Sequence, residues 1–577
     1  MLQTVPPYVD TPQDSYTRTL DPAVTRASSL MSVSQCRVDW FALAFSQMRL
    51  PPLTTSPPPY NNPPQKSSLA AALMPDVARR RFVLNVASNV AYMMASTVLM
   101  IWYVPFLIGH LGVSAYGIVP LAHSIVSYIS IVTEGLNVAT TRFLTIDLNR
   151  LDENAANKTF NTAFFVSVVI VCALLPIAMT VTWWFPTLFQ VPMVLETQSR
   201  LLFGGVALTF VLGFLGGNFE VSTLILHRFE LRNLLRGLTM ATRVGLVVIC
   251  FKLLPAQLWH VGAGLVASAL VTFSGAWLLW HHLTPDLCIR WSAFDWSCLR
   301  QLFSFSIWSI VNRIGALLFL STGILIVNRF LGAEQTGQYG TLLLFPSMFQ
   351  TLVDTAASVL SPAIMARYAV RDTEGMRRLA TQAVKLIAIS LALPIGLLSG
   401  LAQPWLNIWL GPEFQSFDIL LIILVGHYSI NLSTRPLSYV LTSYNKIRVQ
   451  GIVTLALGVL NVILSIGLVR WGGLGMVGVA VATALVTTIR NLIFLSAYSA
   501  HLMELHWWTF YPILMLGAFS TLTVGLSAYG LAQLWRPVSW LALGGIAMAV
   551  SLGYVITAWF VSLRREDRQL FLALIPR

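Results

Sequence analysis

The fold class that this 577-residue sequence predicts is an all-α polytopic membrane protein with about fourteen transmembrane helices, and three observations carry it. Hydrophobic residues make up 56% of the chain and charged residues only 10%, where a soluble protein has roughly 25% charged residues. From residue 82 onward apolar runs of about 20 residues recur, each long enough to cross roughly 30 Å of hydrocarbon. The loops between those runs are alternately rich and poor in Lys and Arg, the pattern of a chain threaded back and forth through a bilayer. The net charge of +13 would suggest nucleic acid for a soluble chain. Here its distribution carries the information, and no nucleic-acid partner is expected.

Residues 1–75 stand apart. They hold 12 of the 28 prolines, and TTSPPPYNNPPQKSS (Thr54–Ser68) is a low-complexity run that buries too little apolar surface to fold. A signal peptide's apolar core followed by a small-residue cleavage site is not found there. The expectation is a disordered cytoplasmic tail or, alternatively, a mis-assigned start. Met74 opens MPDVARRRFVLNVASNV, which reads as a short basic flank before a first span.

Fourteen spans follow, at about 82–107, 117–141, 160–184, 203–227, 237–254, 261–280, 304–327, 339–361, 380–402, 417–441, 450–469, 475–497, 513–532 and 539–562. Runs this long and apolar are helices, because a backbone in lipid must satisfy its own hydrogen bonds. The first six spans form an expected N-terminal bundle (76–303) and the next six a C-terminal bundle (304–500). Residues 501–577 add two helices and a tail. Counting Lys and Arg in alternate loops gives 22 on one side and five on the other (Arg200, Lys252, Arg329, Arg470 and Arg536). The rich side is expected to be cytoplasmic, with both termini there. Loops on the poor side are short, so there is no room outside the membrane for a large catalytic domain. The five cysteines, Cys36, Cys172, Cys250, Cys288 and Cys298, show no CxxC or metal spacing; Cys172 and Cys250, in apolar spans, read as packed free thiols. No P-loop of the GxxxxGK[ST] type appears, and neither a metal nor a cofactor is expected.

The halves carry a repeat. IGHLGVSAYG (Ile108–Gly117) and LGAEQTGQYG (Leu331–Gly340) match at an offset of 223, with Tyr116-Gly117 on Tyr339-Gly340 and Asn89 on Asn312. Six spans separate the copies. An even number preserves orientation, so the two six-helix bundles are expected to be related by a parallel repeat about an axis along the membrane normal.

Seven ionisable residues are singled out inside spans: Glu134, Glu220, Arg243, Arg313, Asp354, Lys385 and Arg435; Lys252 and Asp418 stand at span ends, and Arg490 is counted with the cation-rich loops. Each is expected 6 to 10 residues from the cytoplasmic end of its helix, roughly 9–15 Å deep, with Arg313 the deepest. Lys385 and Arg243 are near enough to the interface to snorkel. Arg435 precedes Pro436, which turns it either way. The carboxylates have short stems and need a wet cavity or a basic partner, unless they are protonated structural groups. Four bases against three acids suggest a cytoplasm-facing cavity suited to an anionic head group, with Asn312 and Asn218 adding neutral hydrogen-bonding groups.

The stretches RRRFVLNVASN, FLIGHLGVSAYGIVPLAHSI, LGAEQTGQYGTLLLFPSM and WGGLGMVGVAVAT resemble polysaccharide exporters. These are the O-antigen and related lipid-linked oligosaccharide flippases of the multidrug/oligosaccharidyl-lipid/polysaccharide exporter superfamily. The resemblance covers about residues 76–565. It implies translocation of undecaprenyl-pyrophosphate-linked repeat units across the bacterial inner membrane for surface polysaccharide or O-antigen synthesis, without enzymatic chemistry. It also implies substrate contact by Arg313, Arg435, Lys385, Arg243 and Asn312, and ion coupling through Asp354, Glu134 and Glu220. Membrane lipids, a polysaccharide polymerase and a chain-length regulator are the partners it suggests. Two other functions compete. A multidrug/cation antiporter of the same superfamily requires an acidic cavity, and a membrane-embedded polymerase or glycosyltransferase requires an outer domain or an acidic metal loop.

Overall fold

The computed structural model describes residues 76–562 apart from Leu151, His227 and Val359. The proline-rich tail, the alternative start at Met74, Cys36 and the C-terminal arginines lie outside the described residues. Among those described, every regular element is helical, and fourteen segments are long and apolar enough to span a membrane. In order, spans 1 to 6 are Ala87–Leu111, Val113–Ile131, Glu153–Leu188, Met193–Ile225, Phe229–Leu253 and Leu258–Leu283. Spans 7 to 12 are Ile310–Leu331, Ala333–Ala369, Thr373–Gly400, Pro412–Asn431, Ile447–Arg470 and Gly475–Leu502, and spans 13 and 14 are Tyr511–Trp535 and Trp540–Phe560. Each expected span has its counterpart.

Two features depart from the expectation. Several helices overrun the bilayer: the helix of span 2 runs from Val113 to Asn149, 37 residues, or roughly 55 Å. Its last turns, TTRFLTIDLN, are polar but still form helix, so hydropathy cannot see where the helix ends. Second, four spans of the second half are interrupted. Span 7 breaks at Ser321, between helices Trp296–Leu320 and Thr322–Leu331. Span 8 is divided into Ala333–Leu342, Leu344–Ser358 and Ser361–Ala369. Span 10 divides at His427 and again before Arg435. Span 12 passes into a π-helix at Arg490–Ser496.

The repeat is present in a different register. Gly112 and Gly332 each precede a helix with positive φ, +81° and +97°, a conformation that glycine adopts at no steric cost. These two turns are the equivalent points, and their offset is 220, not 223. The Tyr-Gly pairs that set the other register are coincidental, and Asn89 does not correspond to Asn312. In the new register Gly117 answers Gly337, and the two touch. A Cβ on Gly117 would lie 2.5 Å from the backbone nitrogen of Gly337, and one on Gly337 would lie 2.1 Å from the carbonyl oxygen of Val113. Span 2 and the first helix of span 8 therefore cross backbone to backbone, as small residues permit in membranes.

Elsewhere span 4 packs on span 6, span 1 on span 5, span 7 on span 11 and span 10 on span 12. Span 13 lies along span 9, where a Cβ on Gly400 would meet the Gly525 carbonyl at 2.2 Å. The four described cysteines are free; Cys172 is exposed rather than packed.

Candidate functional site

A cavity in two connected chambers lies between spans of the two halves. The chamber toward the cation-rich end, about 460 Å³, is lined by Tyr92 and Met93 of the first helix, Arg236 and Thr239 of span 5, Ser268 of span 6 and Thr351 of span 8. The other, about 300 Å³, reaches Tyr103, Tyr116 and the break at Ser321. Met100, His123, Arg243, Leu344 and Ser347 belong to both. Among the described residues, the lining of the two chambers contains Arg236 and Arg243 and no carboxylate.

Arg243 marks the junction. It stands 14 residues after Phe229 and 10 before Leu253, the ends of its helix, or roughly 21 Å and 15 Å along the axis. The guanidinium is thus near mid-depth. Its Nε, the Tyr103 hydroxyl and His123 Nε2 are buried without a hydrogen-bond partner among the described residues. Buried polar atoms are normally paired, and all three of these residues line the smaller chamber. At about the level of the Ser321 break, Ser124 Oγ donates to the Ser321 carbonyl at 2.6 Å, and the Tyr128 hydroxyl bonds Thr322 Oγ1. These bonds hold span 2 against the interrupted span 7. Toward the cation-poor end Trp409 Nε1 donates to the Ile101 carbonyl at 2.6 Å. There the Gln190 backbone N–H donates to Asn328 Oδ1 at 3.1 Å, and Gln190 Nε2 donates to the Arg329 carbonyl at 3.0 Å. The halves are tied together at that end.

The other expected site residues are distributed. Arg313, half-buried on the helix Trp296–Leu320, lines neither chamber. It lies 18 residues from Leu331, roughly 27 Å, so Arg243 and not Arg313 is the deeper of the two. The Asn312 backbone nitrogen lies 3.5 Å from where a Cβ on Gly451 would sit, which places it against span 11. Lys385 is half-buried on span 9 and lines neither chamber. Asn218 is buried between spans 3 and 4, bonded to Ser167. Glu220 meets Arg232 of span 5 at 3.4 Å. The side chain of Glu134 lies outside the described residues. Asp354 has a basic partner in Arg435, Oδ1 to Nε at 2.8 Å and Oδ2 to Nη2 at 3.4 Å.

Arg435 also lines a second, smaller pocket of about 70 Å³, within the second half, together with Gln350, His427, Tyr428, Asn431, Thr487 and Arg490. Arg490 had been assigned to a cation-rich loop. It sits inside span 12 at the start of the π-helix, which lowers that side's count from 22 to 21 (22 − 1). Its signal was legible: Arg490-Asn491 interrupts an apolar run just as Asn312-Arg313 does. His123 was equally visible as a lone polar residue in PLAHSI.

Fold and cavity together define a multi-pass membrane carrier, with a polar, cation-lined space held between two related halves. Residues 82–367 match the family described as "Polysaccharide biosynthesis protein". Over 501 residues the chain is 30% identical to the uncharacterized membrane protein EpsK of Bacillus subtilis, covering 85% of this chain and 97% of that one. A candidate O-antigen transporter of Shigella flexneri is 23% identical over 340 residues, 58% of this chain and 78% of the relative. The lipid II flippase MurJ in an inward closed conformation shares the fold, with a TM-score of 0.55 at 14% identity, covering 83% of this chain and 99% of that one. The chain belongs to the polysaccharide biosynthesis protein family of multi-pass membrane transporters.

Proposed function

We propose that this protein is a flippase for lipid-linked oligosaccharide repeat units, most simply those carried on undecaprenyl pyrophosphate, in the bacterial inner membrane. In this reading the cation-rich end, with both termini, faces the cytoplasm. The observation that carries the proposal is the lining of the central cavity: a mid-depth guanidinium, Arg243, with a second at Arg236, hydroxyls from Ser, Thr and Tyr, and no carboxylate among the described residues. A pyrophosphate is matched by a guanidinium's planar fork. Hydroxyls suit sugars, and charge in a membrane interior is placed where a ligand or partner meets it. The same lining weighs against the cation antiporter, which needs negative charge in its cavity. The carrier needs no group for bond-making chemistry, in keeping with relatives named as transporters.

Arg435, Arg313, Lys385 and Asn312 remain proposed as further substrate contacts. Asp354, Glu134 and Glu220 remain proposed ion-coupling groups. A polysaccharide polymerase and a chain-length regulator are the proposed partners that use the flipped product.

The test is flipping of a fluorescent polyprenyl-pyrophosphate oligosaccharide in proteoliposomes, beside complementation of a flippase-null strain. Arg243→Ala should abolish transport at unchanged membrane abundance, and Arg243→Lys should retain part of it. Full transport by Arg243→Ala would refute the assignment.

A further inference from the structure

The small pocket of the second half has a chemistry of its own. Its walls come from spans 7, 8, 10 and 12, the four that are interrupted, and Leu320, His427, Leu432, Thr434 and Arg490 line it at or beside the interruptions. Breaks and π-turns of this kind in membrane helices accompany ligand sites. The polar wall divides into two sets. One set is occupied internally. Asn431 Nδ2 lies 2.7 Å from His427 Nδ1 and donates to Thr488 Oγ1 at 3.0 Å, while Asn491 Nδ2 donates to Asn431 Oδ1 at 3.1 Å. This network fixes the walls and leaves those amide protons unavailable.

The other set is free, and it consists of donors. Arg435 is matched by Asp354. Arg490 has no carboxylate partner among the described residues; its described contact is the face of Phe319, 5.9 Å from the ring centroid. One positive charge is therefore left over in a half-buried place, where an uncompensated charge is costly. The Tyr428 hydroxyl accepts from Gln350 Nε2 and keeps its own proton to give. Thr487 and Thr483 line the pocket, and neither hydroxyl has a described hydrogen bond. The opposing feature is one unpartnered acceptor, Asn491 Oδ1, and a single amide oxygen does not neutralise a guanidinium.

We propose that this pocket is an anion site separate from the central cavity, taking one small inorganic anion against Arg490, with hydroxyl protons from Tyr428, Thr483 and Thr487. At about 70 Å³ it admits a chloride or a single phosphate group and excludes a sugar. A cation is disfavoured by the same donors. The bound anion supplies the counter-charge that Arg490 lacks and joins spans 8, 10 and 12 across their breaks. Because the helix Leu344–Ser358 lines the cavity with Ser347 and Thr351 and this pocket with Gln350, occupancy here also sets one wall of the cavity.

The experiment is a thermal-unfolding titration of the purified full-length protein at constant ionic strength, exchanging gluconate for chloride in one arm and for inorganic phosphate in the other. A ligand that binds only the folded state raises Tm with concentration, and about 2 °C is expected for the parent at saturating anion. The same shift is expected in Arg243→Ala, which separates this site from the proposed substrate site. Arg490→Gln and the uncharged-wall variant Thr487→Val should lose most of the shift, and Arg490→Lys should keep it. Response to chloride identifies a free halide as the occupant; response to phosphate alone identifies a phosphate group. No response to either anion in the parent, or an undiminished shift in both Arg490→Gln and Thr487→Val, overturns the proposal. So does loss of the shift in Arg243→Ala alone.

Discussion

Spans 1, 2, 4 and 6 are unbroken helices, whereas their counterparts six spans on, 7, 8, 10 and 12, are interrupted at Ser321, Leu343, His427 and Arg490. The two halves thus offer different surfaces to the space between them. The continuous half presents Arg243 and Arg236 on an intact helix, whose backbone is fully paired. The interrupted half opens backbone ends and polar side chains inward, pairs Arg435 with Asp354, and encloses a pocket of its own. Two copies of one topology have diverged in how they handle charge in the membrane: one leaves a guanidinium facing a large cavity, the other compensates or encloses it.

The most severe way to break the comparison is to part the halves where they touch. Gly337→Ala places a Cβ 2.1 Å from the Val113 carbonyl oxygen, against backbone on both sides. It should destabilise the protein by about 3 kcal/mol and sharply lower membrane abundance. Gly109→Ala, where a Cβ meets nothing within 4 Å, should change stability by less than about 0.5 kcal/mol. Equal behaviour of the two would mean that the crossing is not tight.

Next in size is the difference between the arginines. Arg243→Ala should cut flipping at least tenfold, and Arg435→Ala, whose charge is matched by Asp354, should cut it less. A larger loss in Arg435→Ala would move the substrate's phosphate site to the second half.

The pair itself should be weak. Both partners are well exposed, 33% and 54%, so a double-mutant cycle of Arg435→Ala and Asp354→Ala should give a coupling of only about 0.5 kcal/mol. A coupling several times larger would place the pair in a drier setting. Smallest is Glu220→Gln, which loses one contact to Arg232. As a change at a proposed coupling group it should weaken the dependence of transport on a pH gradient slightly; a dependence equal to the parent's would remove Glu220 from the coupling role.

The spans were legible because length and apolarity alone decide whether a helix crosses a bilayer, and charge alternation checked their number. The interruptions were not, because continuity in hydropathy, as in FLSTGILIV, hides them: Ser321 and His427 sit in runs that remain apolar on either side. The repeat was legible but slipped by three residues, since identity matching weighed Tyr-Gly pairs above the glycines whose positive φ marks the equivalent turns. In the site, residue type was readable and partnership was not. A carboxylate such as Asp354 reads as needing a base or water, but that the base is Arg435, 81 positions away, is not readable from the sequence. Arg490 was missed because a cation near the end of an apolar run is ordinarily a loop residue.

The mid-depth position of Arg243 has an electrical consequence. A membrane potential acts on charge in proportion to the fraction of the field it crosses, about 2.3 kcal/mol per elementary charge per 100 mV for the full thickness. A guanidinium held near the middle feels about half of that, so exposing it first to one side and then to the other shifts the balance of the two states by about 1 kcal/mol per 100 mV. A pyrophosphate diester seated on it, with two negative charges, would reverse that bias. The empty and loaded carriers would then respond to voltage in opposite senses, so an inside-negative potential would favour both the outward stroke with substrate and the return stroke without it.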